Sequence, residues 1–270
     1  MVCMIKLTSF DFSYSHYGDI IKEIRKNYEI LLLKDLEKGW GNDDTSCVVL
    51  RHDVDFDLVK AHKLAIVESN LDISSTFHII PDSPFYSLEM KENKALLQEI
   101  VGMGHDVGLH WDIRRKDRPA SEILNKNMLD EYIKMEAVYL EKCTGTNVTT
   151  VSFHCPMPEL LRGEIMLGGL VNAYANEFMD EYISDSAGQW RHGDPLEDFK
   201  EMKWENIQVL THPIWWNNVS RAPSDSLEDL YQERKKTNNH QDFDRLISEN
   251  VTRIHRTGYI YNNDKLKFKE

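Results

Sequence analysis

Strand-like and helix-like segments alternate along this chain, and four of the strand-like runs end in histidine or aspartate. Helical periodicity runs through YGDIIKEIRKNY (17–28), LVKAHKLAIVESN (58–70), NKALLQEIVGMG (93–104) and one long stretch, ASEILNKNMLDEYIKMEAVYLEKCTG (120–145). Between them lie short β-branched or aliphatic runs, too brief for helices: CVVL (47–50), ISSTFHII (73–80), HDVGLH (105–110) and TTVSFH (149–154). LVNAYANE (170–177), YISDS (182–186) and IQVLTHP (207–213) continue the series more weakly. The stretch from Ser224 to about Thr257 reads as mostly helical, and YNNDKLKFKE (261–270) as a polar tail. Such alternation implies parallel strands joined by helical crossovers. Over 270 residues it favours a barrel or distorted barrel over an open sheet. No Pro/Gly-rich linker, repeat or low-complexity segment divides the chain, so one domain is expected over 1–270.

Composition narrows the function. With 41% hydrophobic and 29% charged residues, a sizeable core is expected and disorder is not. A net charge of −13 argues against nucleic acid or an anionic membrane surface as the main partner. No apolar stretch approaches the ~20 residues of a membrane span. The N-terminus lacks a basic segment followed by an apolar core. Four scattered cysteines without a CxxC pair fit reduced thiols, so a cytoplasmic location is expected. No GxGxxG or GxxxxGK[ST] supports a nucleotide-phosphate cradle.

The chemistry sits at the strand ends. VVL runs into Arg51-His52-Asp53-Val54-Asp55, DVGL into His110-Trp111-Asp112, VSF into His154-Cys155-Pro156, and QVL into Thr211-His212-Pro213. In a parallel barrel the C-terminal strand ends share one face, so these groups can converge. Any single histidine at a strand end is more often structural. Four together point to imidazole–carboxylate chemistry, either the ligand set of a divalent metal or a general acid and base. Asp53 and Asp55 lie two apart, so on a regular strand they point to one side.

LRHDVDF, GHDVGLHWD, VSFHCP, YISDSAGQW and LTHPIWW come in the order, and at about the spacing, of the polysaccharide deacetylase superfamily, carbohydrate esterase family four and its relatives. The sequence most resembles a divergent intracellular branch associated with surface-polysaccharide biosynthesis. The resemblance covers about residues 48–216, with 1–47 as a helical lead-in and 217–270 as a helical region and tail. It implies a distorted (β/α) barrel and metal-assisted removal of an N- or O-acetyl group from a sugar or glycan precursor. It also implies Asp53 as base, His212 as acid, Asp55 and His110 as metal ligands, and zinc as the expected ion. His105 matches a histidine expected to be structural.

The departures are specific. The family's usual second metal histidine falls on Arg114, which cannot ligate a metal. His154 stands where the third motif normally has an arginine, and is the candidate replacement ligand. Asp112, Asp185, Ser186, Trp190, Arg191 and Trp215 are candidate substrate contacts, since sugars offer polar edges and apolar faces. For Trp190, Trp215 and Trp216 a packed position is an equal expectation. Two other functions stay open: hydrolysis of another non-peptide C–N bond in a small amide or heterocycle, possible without metal, and a degenerate glycan-binding protein.

Overall fold

Each central strand of the computed structural model divides its residues strictly by parity. The structure describes residues 10–40, 45–113, 118–179, 181–236, 259–262 and 265–268. Strand β2 (Cys47–Val54) lies at the centre. Strand β1 (Glu29–Leu31) pairs with residues 47–49 of β2, β3 (Thr76–Ile79) with 51–54, and β9 (Asn206–Thr211) with 47–52. Beyond β3 come β4 (Asp106–Asp112), β5 (Thr150–His154), β7 (Leu170–Asn172) and β6 (Met166–Leu167). Beyond β9 lies β8 (Tyr182–Ser184). Every pairing in this sheet is parallel except the β6–β7 hairpin. Among the described residues no ladder joins β6 or β7 to β8, so the fold is a distorted (β/α) barrel with an open side.

The outward residues are apolar apart from His52 and Thr211. Val48, Leu50, Val54, Phe77, Ile79, Val107, Leu109, Val151, Phe153, Ile207 and Val209 form one buried cluster with the inner faces of the helices. These helices are α1 (Tyr14–Asn27), α2 (Leu58–Ser69), α3 (Lys91–Gly102) and α5 (Lys126–Thr144). Ile20, Ile21 and Ile24 come from α1, Leu64 and Ala65 from α2, Leu97 and Ile100 from α3, and Ile133 and Leu140 from α5. Helix starts are capped where the sequence supplies an oxygen: Ser13 accepts the His16 N–H, and Asp57 accepts those of Val59 and Lys60.

The inward residues form layers. At the strand starts, Val49 packs with Leu33, Leu36, Val171, Ala173 and Phe178 in a second apolar cluster. Above it lies a buried polar layer. Arg51 is fully buried and donates to Ala173 O (3.3 Å), Gln208 Oε1 (3.0 Å) and Asp53 Oδ2 (3.2 Å), with its guanidinium 4.5 Å over the Tyr174 ring. Gln208 in turn donates to Ala173 O and Phe178 O. These bonds explain why β2 continues to Val54 instead of stopping at Leu50: its charged residues are paired inside the barrel.

Two sequence expectations are corrected. The single helix over 120–145 is two, a short α4 (Ala120–Ile123) and α5, because Asn125 takes extended backbone and caps α5 by accepting the Met128 N–H. The polar tail contains a hairpin, β10 (Tyr259–Asn262) with β11 (Lys265–Phe268). A five-residue helix, α6 (Leu196–Lys200), precedes β9 and was not foreseen. Of the helical stretch expected over 224–257, α7 (Pro223–Lys236) is found, and 237–258 lie outside the described residues.

Gly108 on β4 makes room for the interior. A Cβ there would sit 2.2 Å from Thr150 Oγ1 and 2.5 Å from His78 Cδ2, both in the buried polar layer. Gly108→Ala should therefore destabilise the protein by ~1–3 kcal/mol through overpacking. A urea midpoint equal to that of the unaltered chain would contradict this.

Candidate active site

Asp53, Asp55, His110, His154 and His212 all lie at the C-terminal ends of their strands. Asp53 and His110 are on the inward faces of β2 and β4, and His154 ends β5. Asp55 and His212 directly follow β2 and β9.

Asp53 is buried at 2% exposure. Its Oδ2 accepts from Arg51, and its Oδ1 accepts from Ser152 Oγ at 3.1 Å. Burial alone would raise its pKa. The Arg51 guanidinium, foremost among the neighbouring groups, overcomes that and brings it down to about 2. The Arg51 pairing thus favours the carboxylate form of Asp53.

Asp55 Oδ1 meets two imidazoles, His110 Nε2 at 3.0 Å and His154 Nδ1 at 3.0 Å. Burial opposes its charge, yet the His154 imidazole holds its pKa well below the usual carboxylate range. Burial likewise disfavours a charged His154, and Asp55 outweighs it, raising the imidazole well above its ordinary value. The three donor atoms lie within 4.8 Å of one another, which suits a single divalent cation. The tautomer of His110 fits as well. Ser152 Oγ donates to the Asp53 carboxylate, so at 2.6 Å it accepts from His110 Nδ1–H. That leaves the Nε2 lone pair aimed at Asp55 Oδ1, an arrangement relieved by a cation or a proton between them.

His212 is held by Asp185. The buried carboxylate accepts from the His212 backbone N–H (2.9 Å), from Nδ1 (2.7 Å) and from Trp216 Nε1 (3.0 Å). Burial lowers the His212 pKa, but Asp185, with Asp55 and Asp53 beyond it, raises it to about 9. Burial raises the pKa of Asp185 in turn. Trp216 is fixed by edge-to-face contacts with Phe12 (5.1 Å) and Tyr17 (4.9 Å).

The candidate substrate contacts fare differently. Asp185 is fully buried and its oxygens serve His212 and Trp216, so it offers no free edge to a sugar hydroxyl. Trp190 (4% exposed) and Trp215 (6%) are packed in the core, Trp190 against Trp216 at 6.4 Å. Ser186 pairs with Ser184 at 2.6 Å. Arg191 is exposed, and a cavity of about 60 Å³ beside it is lined by Tyr182, Ser184, Trp190, His192 and Trp204. Asp112 is half-buried and pairs in register with His154. Arg114 lies outside the described residues.

No family model matches the chain, and no curated protein matches it. Solved structures do. Peptidoglycan deacetylase PdaC from Bacillus subtilis shares 13% identity over 77% of this chain and 99% of its own, with a TM-score of 0.42. A family 4 acetyl xylan esterase from Clostridium thermocellum, in complex with a cobalt ion, shares 14% over 71% of this chain and 84% of its own, with a TM-score of 0.40. A CE4 family pseudoenzyme from Bacillus anthracis shares 16% over 73% of this chain, with a TM-score of 0.41, and this chain spans 63% of its length.

Sequence reasoning missed Ser152, the inward role of Arg51, and a second buried network on the outer face of the sheet. There Glu68 accepts from Tyr17 (2.5 Å), His52 (3.1 Å) and Ser75 (2.6 Å), while His52 also bonds Thr211 Oγ1 at 2.6 Å. His105 bonds Ser75 N and Ala65 O in the same layer, away from the site. The signal available for Ser152 was parity: it sits two residues before His154, so both face inward.

Proposed function

We propose that this protein is a metal-dependent hydrolase that removes an acetyl group from an N- or O-acetylated sugar or glycan precursor. The observation that carries the reading is the meeting of Asp55, His110 and His154 at one point, beside an ionised Asp53 and a His212 charged by Asp185. A buried carboxylate oxygen shared by two imidazoles, with no apolar purpose, is the chemistry of a cation site. A zinc ion on these three residues would supply a Lewis acid for the acyl carbonyl and acidify the attacking water. Asp53 takes the water's proton. A carboxylate this acidic accepts a proton only from a group acidified in the same step. His212, protonated at neutral pH, gives a proton to the leaving nitrogen or oxygen, and Asp185 keeps it oriented and charged. The acetylated sugar follows from the motif resemblance. Asp112, Ser186, Trp190 and Arg191 are proposed to border its path, Trp190 and Arg191 at the small cavity, whereas Trp215 is packed in the core.

The test is metal analysis and activity together. Protein purified without chelator should carry about one equivalent of divalent ion, and His110→Ala should lose it. A panel of acetylated amino sugars beside a panel of cyclic amides, each with and without added zinc, separates deacetylation from other C–N hydrolysis. Metal content unchanged in His110→Ala would remove His110 from the ligand set.

A further inference from the structure

We propose that Ser152 is the positioning residue that makes His110 a metal ligand and ties that ligand to the base Asp53. The inference rests on the metal-centre reading above.

Ser152 and His110 stand opposite each other in the β4–β5 register, both facing inward, so the pair is fixed by backbone pairing. Ser152 is fully buried, and its hydroxyl lies 2.6 Å from His110 Nδ1 and 3.1 Å from Asp53 Oδ1. A hydroxyl has one proton. Asp53 is paired through Oδ2 with the fully buried Arg51 guanidinium, so it is a carboxylate that can only accept; the hydroxyl proton points at Asp53 and the Ser152 oxygen must accept from His110 Nδ1–H. The tautomer follows, with the Nε2 lone pair free and aimed at the point shared with Asp55 and His154. No other described group is placed to do this. Asp53 Oδ2 is 3.9 Å from His110 Nδ1, and buried His78 lies near Asp53 without a hydrogen bond on either ring nitrogen. A ligand imidazole held through its second nitrogen binds metal more tightly than a free one, by 10–100-fold in comparable sites. The same chain of bonds fixes one oxygen of the base relative to the ion.

The experiment measures zinc affinity by chelator competition, together with long-range ¹H–¹⁵N spectra of the imidazoles in the zinc-loaded chain. In the unaltered protein His110 should show a protonated Nδ1 in slow exchange with solvent and a coordinated Nε2. Ser152→Ala should lose the slow exchange and weaken zinc by about 10–100-fold, while circular dichroism stays unchanged. Ser152→Thr, which keeps the hydroxyl, should bind zinc more tightly than Ser152→Ala. Zinc uptake by the unaltered chain tests the metal reading separately. Absence of uptake overturns that reading and this one with it. Uptake with equal affinity and equal imidazole spectra in Ser152→Ala overturns the Ser152 assignment alone.

Discussion

Asp53→Asn should lower kcat by ~10²–10⁴-fold while leaving substrate affinity within a few-fold. The amide is nearly isosteric and can still accept from Ser152, so the site should keep its shape. What it loses is the ability to take a proton and the negative charge facing Arg51. The measurement is kcat per folded molecule, with folding checked by circular dichroism and denaturant midpoint. The second check matters because Arg51 is fully buried, and removing the charge beside it leaves a cation without its counter-ion. An unchanged kcat in a folded variant would end the proposed role of Asp53.

The proposed acid should respond to its partner as strongly as to its own loss. His212→Gln should cost a similar ~10²–10⁴-fold in kcat. Asp185→Asn keeps the imidazole but removes the charge that holds its pKa at about 9. Burial, the opposing influence, is then countered only by the more distant Asp55 and Asp53. The alkaline limb of the kcat profile should therefore move downward from near pH 9, and activity should be lost at lower pH than in the unaltered chain. A limb that stays put would show that Asp185 braces the loop without setting the charge on His212.

Much of the architecture was legible because parallel strands write their chemistry in two simple codes. Alternating segments gave β2, β3, β4, β5 and β9 within a few residues, and the residues at their ends gave Asp53, Asp55, His110, His154 and His212. What stayed hidden depended on register or on local competition. Ser152 matters because β4 and β5 pair so that it faces His110, which no single segment encodes. Arg51 looked like one more charge in an acidic turn; only its parity with Asp53, on a strand longer than its apolar run, turns it inward. Asp185 and His212 were both singled out, but their pairing spans two strand ends, and a carboxylate near a tryptophan reads equally well as a sugar contact. Asn125 was overlooked inside a strong helical period, where its side chain captures a backbone N–H and starts a new helix.

The open side of the barrel has a consequence for what mutation can reach. A ladder of backbone bonds would join the two ends of the sheet whatever side chains they carried. Here Arg51 and Gln208 span the gap to the Ala173 carbonyl, and the Tyr174 and Tyr182 rings flank the guanidinium at 4.5 and 5.9 Å. The seam is therefore written in side chains, and a single codon can unpick it. Lysine at position 51 would keep the charge and lose the fork that reaches Ala173, Gln208 and Asp53 at once. In this protein the same guanidinium that sews the wall shut also sets the acidity of Asp53, so the integrity of the container and the state of the carboxylate inside it are inherited together.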